Sequence, residues 1–479
     1  MSLPQRLLFC SFFLASQALW AQSLPIEVEA ALARAKVPRD AISVLVVDAQ
    51  GAQPARLSHR TREPANPASV MKLVTTYAAL DLLGPGFTWS TPVFVDGSVK
   101  DGVLRGNLII QGQGDPKLVV ERLWLLLRRV QGLGIRSITG DIVLDRSAFE
   151  TTVQDPSEFD GEPLRPYNAS PDALLLNYKS VVMTFVPDAA NRQARVQFEP
   201  PLAGVQMQPT VALAAGACND YRATLKPDFS DLAHIRFSGH YPVDCGEKIW
   251  PVAYVDPASY SARAVEGMWR EMGGKLSGKV REGKAAVGLK PAFELTSPTL
   301  AEIIRDINKF SNNVMAQQVF LTLALQAGAS GGAIRAGTFA GAHEVVNAWW
   351  KQRIARGEVA EGVDAPALDN GSGLSRAGRI SAQALALLLQ TAFRSTLMSE
   401  LMASLPIAGV DGTLRRSPVK TPGSAHLKTG SLRGVSAVAG YVDGASGRRY
   451  VLVAMINHPN AQAARPAIDA LIDWTAQDQ

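Results

Sequence analysis

The chain has 479 residues, of which 47% are hydrophobic and 19% charged, and its formal net charge is +5. This composition is that of a globular protein and excludes bulk disorder, while the length predicts more than one domain. The positive charge is modest and dispersed, so it allows attraction to an anionic cell envelope but argues against nucleic-acid binding.

The N-terminus has the layout of a secretory signal peptide. Arg6 precedes an apolar run over residues 7–19, and Ala21-Gln22 resembles a cleavage point. We therefore predict a signal peptide over residues 1–21, with cleavage after Ala18 as an alternative, and export to the periplasm. An uncleaved membrane anchor is the other interpretation, although the run is short for a span.

Two cysteines remain after removal of the signal, Cys218 and Cys245. An even pair in an exported protein predicts one disulfide, and the alternative is two buried thiols. Neither cysteine neighbours a histidine at a metal-ligand spacing, so no metal site is expected.

The first predicted elements are a helix over residues 26–35, strands over 41–48 and 55–59, and a helix over 68–83. Ser69 and Lys72 lie one turn apart on one face of that last helix. A lysine that is desolvated, or close to a second cation, loses its proton and can act as base for a hydroxyl.

Taken alone, this pair is a weak signal, because an N-cap serine followed by a lysine one turn later is common. A second Ser-x-x-Lys match, Ser417 to Lys420, lies between prolines without a helical apolar stripe. We interpret that copy as accidental.

The middle of the chain contains a weak repeat, in which an amphipathic helix is followed by glycine and a strand, at residues 123–141 and 264–279. We interpret these as two halves of one α/β domain, interrupted by a segment of alternating polarity that predicts a mainly-β domain. The expected division is a main domain over 22–86 and 294–479, an inserted α/β domain over 87–162 and 256–293, and a nested mainly-β domain over 163–255.

Two further motifs follow in the C-terminal part. Ser311-Asn312-Asn313 interrupts a helical pattern over 299–325, and Lys428-Thr429-Gly430 lies in the first of three predicted strands, at 425–432, 436–442 and 449–457. Individually they also fit a polar helix junction and a charged edge strand. Elements from both ends of the chain predict an antiparallel sheet flanked by helices.

The order and setting of the three motifs resemble those of the penicillin-recognising serine acyltransferases. The closer resemblance is to the class C low-molecular-mass penicillin-binding proteins, which are D-alanyl-D-alanine carboxypeptidases and endopeptidases. Residues 112–116, 369–376 and 405–414 agree with that family as well. The resemblance implies an α+β fold of the penicillin-binding and beta-lactamase-like transpeptidase type, with two nested inserted domains, one α/β and one mainly β.

The resemblance also implies roles for the residues of the first two motifs. Ser69 is expected to be the nucleophile and Lys72 the base that activates it. Ser311 and Asn313 are expected to relay protons and to hold the substrate amide.

For the third motif, Lys428 and Thr429 are expected to bind the terminal carboxylate of the substrate, and Lys428 to keep Lys72 partly neutral by repulsion. Gly430 permits close approach of the substrate backbone. The backbone N–H groups of Ser69 and Ser431 are expected to form the oxyanion hole.

The expected function is that of a periplasmic serine DD-peptidase, without a cofactor, that cuts D-alanyl-D-alanine termini and D-alanyl cross-links of peptidoglycan and is inhibited by beta-lactams. Asp160 and Glu162 are hypothesised to bind the amino end of a diaminopimelate side chain, the alternative being two solvated surface acids. The competing functions are a beta-lactamase or esterase of the same fold, and a non-catalytic wall-binding protein. The sequence predicts no oligomeric state.

Overall fold

The computed structural model describes residues 23–150, 155–329, 336–356 and 363–478. The predicted signal peptide falls outside these ranges. Within them, none of the helices combines the length and the apolar character that a bilayer crossing requires.

The described residues form helices and strands along the whole chain. The helices are α1 (Ile26–Arg34), α2 (Lys72–Leu83), α3 (Val120–Gly132), α4 (Tyr221–Leu225), α5 (Pro257–Glu271), α6 (Leu300–Phe310), α7 (Asn313–Ala329), α8 (Phe339–Trp349), α9 (Ala382–Phe393), α10 (Met398–Ser404) and α11 (Arg465–Ala476). The strands are β1 (Ile42–Asp48), β2 (Leu57–His59), β3 (Ser90–Lys100), β4 (Val103–Gln111), β5 (Ser137–Ile138), β6 (Ile142–Asp145), β7 (Ser180–Asp188), β8 (Gln193–Glu199), β9 (Gln206–Met207), β10 (Thr210–Ala214), β11 (Pro227–Asp228), β12 (His234–Phe237), β13 (Tyr241–Pro242), β14 (Lys248–Ala253), β15 (Lys275–Leu276), β16 (Val280–Glu282), β17 (Phe293–Thr296), β18 (Ala425–Leu432), β19 (Val435–Asp443) and β20 (Arg449–Asn457).

The main sheet is antiparallel and has the strand order β18-β19-β20-β1-β2. Side chains alternate across it, so that Val451 and Val453 pack in one hydrophobic cluster with α2, α6 and α9, while Leu452 and Ala454 pack in another with α1 and α11. Helices therefore cover both faces, which confirms the predicted sheet flanked by helices. Strand β18, which carries the third motif, lies at one edge.

Strands that precede the nested segment in the sequence and strands that follow it form one seven-stranded sheet. Strand β15 pairs in parallel with β5, and β16 with β6, so the two predicted halves of the repeat form one sheet. Strand β17 pairs with β3 in the same sheet and ends at Thr296, slightly beyond the predicted end of the insertion at residue 293. The domain boundaries as a whole stay a prediction.

The nested segment between these halves is mainly β. It contains a five-stranded sheet, β13-β10-β8-β7-β14, a three-stranded sheet, β11-β12-β9, and one short helix, α4. Cys218 and Cys245 are joined in a disulfide, as predicted. This bond closes a loop within the nested segment, far along the chain from all three motifs.

Candidate active site

Ser69 lies in a 3₁₀ turn, Ala68–Met71, that leads directly into α2. The sequence predicts an α-helix from residue 68, and the α-helical hydrogen bonds begin only at Lys72. Ala68, immediately before the serine, has a φ of 48°, a left-handed value that is costly for a residue with a Cβ. The surrounding structure therefore holds the serine turn in a strained conformation.

Two glycines pack closely against this turn. A Cβ on Gly430 would come 2.3 Å from the carbonyl oxygen of Pro67, and a Cβ on Gly373 would come 2.0 Å from that of Ala68. Only glycine fits at such distances. The strand of the third motif and the loop around Gly373 thus both contact the backbone that presents Ser69.

The Lys72 side chain is completely buried and makes three hydrogen bonds. In its charged form, Nζ donates to Ser69 Oγ at 3.0 Å, to Asn313 Oδ1 at 2.6 Å and to the Ser372 carbonyl at 2.6 Å. A neutral amine has two N–H bonds and one lone pair. Because two of the three partners are carbonyl oxygens that can only accept, the lone pair of neutral Lys72 is directed at the Ser69 hydroxyl.

Burial is the main reason that the pKa of Lys72 lies well below its ordinary value, and the charge of Lys428 lowers it further. Burial also lowers the pKa of Lys428, to about 7. Repulsion by Lys428 therefore lowers the pKa of Lys72, as expected, but desolvation lowers that pKa more. A neutral base next to the serine follows from the fold itself.

Ser311 joins the second motif to the third. It terminates α6 in a left-handed conformation, with a φ of 58°, and its Oγ accepts a hydrogen bond of 2.9 Å from Lys428 Nζ. Lys428 also donates to the carbonyl of Thr429. Asn313 is the first residue of α7, and its Oδ1 is the atom that accepts from Lys72 Nζ.

Among the residues that the structure describes, no backbone group pairs with the outer edge of β18 beyond Leu427. The Leu427 N–H donates outward, to the Pro406 carbonyl at 2.9 Å. Backbone groups alternate along an antiparallel strand, so those of Thr429 and Ser431 face the same edge. Ser431 is exposed, and its Oγ accepts a hydrogen bond from Gln462. An extended peptide can therefore pair with this edge.

Asp160 and Glu162 belong to a segment of the insertion that approaches the site. Asp160 accepts hydrogen bonds from Tyr167 Oη and Asn168 Nδ2, both at 2.8 Å, and Glu162 pairs with Arg165 at 3.4 Å. The structure brings neither acid into the group around Ser69.

The segment does reach the catalytic group through its backbone, because the Tyr167 carbonyl accepts a hydrogen bond of 3.3 Å from Asn313 Nδ2. A cavity of about 280 Å³ lies beside it, lined among others by Phe159, Asn168, Gln317 and Arg376. The Asn168 Oδ1 and Gln317 Oε1 atoms are buried there without a hydrogen-bond partner.

Sequence reasoning assigned no role to Ser372 or Asn370. Asn370 Oδ1 accepts from both the N–H and the Oγ of Ser372, and Asn370 Nδ2 donates to the Leu374 carbonyl. These bonds hold the Ser372 carbonyl against Lys72. The sequence showed that residues 369–376 agree with the family. It did not show that the Ser372 carbonyl accepts a hydrogen bond from Lys72.

No group of three or more His, Cys, Asp or Glu side chains in the described ranges is arranged to hold a metal ion. The chemistry available is that of a partly exposed serine bonded to a buried lysine, a second buried lysine and a strand edge that can accept a further strand. Fold and site together define an active-serine acyltransferase of the penicillin-binding class.

Comparison with known proteins gives the family. The model of the D-Ala-D-Ala carboxypeptidase 3 (S13) family matches residues 24–478, so the chain belongs to that family. The D-alanyl-D-alanine carboxypeptidase DacB of Haemophilus influenzae is 27% identical over 395 residues, which are 81% of this chain and 80% of that protein. The D-alanyl-D-alanine carboxypeptidase of Actinomadura sp. (strain R39) is 28% identical over 85% of this chain and 76% of its own length.

The crystal structure of penicillin binding protein 4 (dacB) from Haemophilus influenzae superposes with a TM-score of 0.70 at 23% identity. The match covers 94% of this chain and 100% of that one. The expected fold class, a transpeptidase-type α+β fold with inserted domains, is thereby confirmed.

Proposed function

We propose that this chain is a periplasmic DD-peptidase that cleaves D-alanyl-D-alanine termini and D-alanyl cross-links of peptidoglycan through an acyl-enzyme on Ser69. The observation that carries the proposal is the environment of Lys72, whose two carbonyl partners direct its lone pair at Ser69 Oγ. Family membership supports the same chemistry.

In the acylation step, Ser69 Oγ attacks the carbonyl carbon of the penultimate D-alanine while Lys72 takes the hydroxyl proton. The N–H groups of Ser69 and Ser431 stabilise the oxyanion, which in other enzymes contributes about 3–4 kcal/mol per donor. The C–N bond then breaks, and the departing amine takes up the proton that Lys72 took from Ser69, with Ser311 as the relay, which returns Lys72 to its neutral form. Lys428 and Thr429 hold the carboxylate of the departing D-alanine.

Deacylation repeats this course with water as the nucleophile and Lys72 again as the base. A beta-lactam follows the first half of this course, but its leaving group stays tethered and blocks water. Stable labelling by beta-lactams is therefore expected, and rapid turnover of the label would favour a beta-lactamase instead.

Digestion of purified sacculi tests the substrate and the reaction together. The wild-type enzyme should release D-alanine and convert cross-linked muropeptides to monomers, as read by mass spectrometry. If the Ser69→Ala variant still formed both products, the proposal would be contradicted. Absence of digestion and of penicillin labelling in the wild-type protein would favour the wall-binding alternative.

The pH dependence of kcat/KM should reflect the protonation states of the two buried lysines, Lys72 and Lys428. Acylation needs neutral Lys72 and charged Lys428, so kcat/KM should rise as Lys72 loses its proton and fall from about pH 7 upward as Lys428 loses its own. A bound carboxylate favours the charged form of Lys428. The alkaline fall in kcat should therefore lie at higher pH than that in kcat/KM, and coincident alkaline limbs would contradict the assignment of Lys428.

The hypothesis for Asp160 and Glu162 is tested with paired muropeptides that differ in the free amine of the diaminopimelate side chain. If either acid binds that amine, Asp160→Asn or Glu162→Gln should lower kcat/KM about tenfold on the free amine and leave the N-acetylated substrate unchanged. Since Asp160 also holds Tyr167 and Asn168, an equal loss on both substrates would indicate a structural role. Unchanged activity of both variants would remove the hypothesis.

A further inference from the structure

A loop over residues 405–414 covers the first half of the β18 edge and stops where the third motif begins. Ile407 forms an antiparallel bridge with His426, and the Ala408 N–H donates to the Ala425 carbonyl at 2.9 Å. The loop thus acts as a short sixth strand that ends beside Leu427. The loop makes no backbone hydrogen bond to the edge from Lys428 onward.

An ion pair between a buried lysine and a partly exposed aspartate joins this loop to the helix that ends in Ser311. Lys309, which is 3% exposed, donates to Asp411 Oδ2 at 2.6 Å, and Asp411 Oδ1 accepts from the Ile407 N–H at 2.8 Å. One carboxylate therefore joins helix and loop. A Cβ on Gly412 would lie 2.6 Å from the Lys309 carbonyl oxygen, so the backbones are in direct contact as well.

The next residue of the loop touches the third motif. Thr413 Oγ1 lies 2.7 Å from Thr429 Oγ1, a hydroxyl–hydroxyl hydrogen bond in which either atom can donate. Thr429 is buried, at 8% exposed, whereas Thr413 is exposed. An exposed threonine contributes little to the core, which makes this contact separable from folding.

The chemistry of a hydroxyl fixes the direction of this bond when substrate is present. A threonine hydroxyl has one proton and two lone pairs. If the Thr429 proton is donated to the substrate carboxylate, Thr429 can only accept from Thr413. The Thr413 proton then orients the Thr429 hydroxyl, and hydrogen bonds arranged in such a chain strengthen one another.

We propose that Thr413 is a positioning residue for carboxylate recognition: held by the Lys309–Asp411 pair, it donates to Thr429 and directs the Thr429 proton at the terminal carboxylate of the substrate. This inference rests on the proposed role of Thr429. It gives residues 405–414 a function in selecting substrates that end in a free carboxylate.

Two N-acyl-D-alanyl thioesters test the inference, one with thioglycolate as leaving group and one with neutral thioglycolamide. Both are reactive enough to acylate the serine, and only the first carries the carboxylate. Thr413→Val should lower kcat/KM about tenfold on the thioglycolate ester and leave the thioglycolamide ester unchanged. Thr413→Ser, which keeps the hydroxyl, should retain the wild-type ratio.

Equal losses of Thr413→Val on both esters would show that Thr413 merely supports the loop, and no loss on either would show that it has no role. Thr429→Val separates this inference from the proposed function. If Thr429→Val lowers only the thioglycolate rate and Thr413→Val does not, the inference alone fails. If Thr429→Val does not discriminate, the role of Thr429 fails with it. In the double variant, the Thr413 change should add no further loss.

Discussion

Replacement of Ser69 by alanine should abolish covalent labelling by a fluorescent penicillin and reduce hydrolysis of D-alanyl-D-alanine peptides by about a millionfold, as loss of the nucleophile does in other serine enzymes. The reason is that, among the described residues, the hydroxyl bonded to Lys72 Nζ is that of Ser69. Intact-mass spectrometry of the protein after incubation with penicillin is the direct measurement.

The chain offers a matched control for this variant in its second Ser-x-x-Lys sequence. Ser417 donates to Asp469 Oδ1 at 2.7 Å and does not contact the catalytic group. The Ser417→Ala variant should therefore be labelled as fast as the wild-type protein. Its free energy of unfolding should fall by the contribution of one hydrogen bond. Labelling that persists in Ser69→Ala, or is lost in Ser417→Ala, would overturn the assignment of the nucleophile.

Replacement of Lys72 by methionine should slow penicillin acylation by a factor on the order of 10²–10⁴, the usual contribution of a positioned base. Methionine keeps most of the volume of the buried side chain but has no lone pair that can take the serine proton. The acylation rate of Lys72→Met should also lose the acid limb of its pH profile, because that limb reports the deprotonation of Lys72.

Lys420→Met is the corresponding control, since Lys420 is exposed and its side chain lies outside the site. Its acylation rate and pH profile should be those of the wild-type protein. A thermal melt of both variants checks that each is folded. If Lys72→Met acylated at the wild-type rate, the base would have to be sought elsewhere, and Lys428 would be the next group to test.

The three motifs could be recognised in the sequence because their order and their local settings agree, although each motif alone is a weak signal. Helical periodicity placed Ser69 and Lys72 on one face, and the alternation of the last strands placed Lys428 in the sheet. Ser311 lies at the predicted break between two helices. These are local properties, and local properties are what periodicity and turn residues report.

The contacts that the sequence could not provide are those that involve backbone atoms or join distant segments. The Ser372 carbonyl accepts a hydrogen bond from Lys72. Because every residue type has a backbone carbonyl, no pattern of side chains predicts this contact. The same holds for the Tyr167 carbonyl next to Asn313. The left-handed Ala68 also escaped prediction, because it results from packing against Gly373 and Gly430 rather than from its own preference.

The pairing of β1 with β20 has a consequence for how the protein is made. Val44 lies opposite Ala454, so the first strand of the main sheet meets its principal neighbour only when nearly the whole chain is available. Although β2 can pair with one edge of β1 early, the other edge stays exposed while the intervening chain is added. Until the last strand arrives, Lys72 has neither its burial nor Lys428 nearby, and the serine has no activated base. The catalytic group is therefore complete only when the C-terminal strands have folded onto β1.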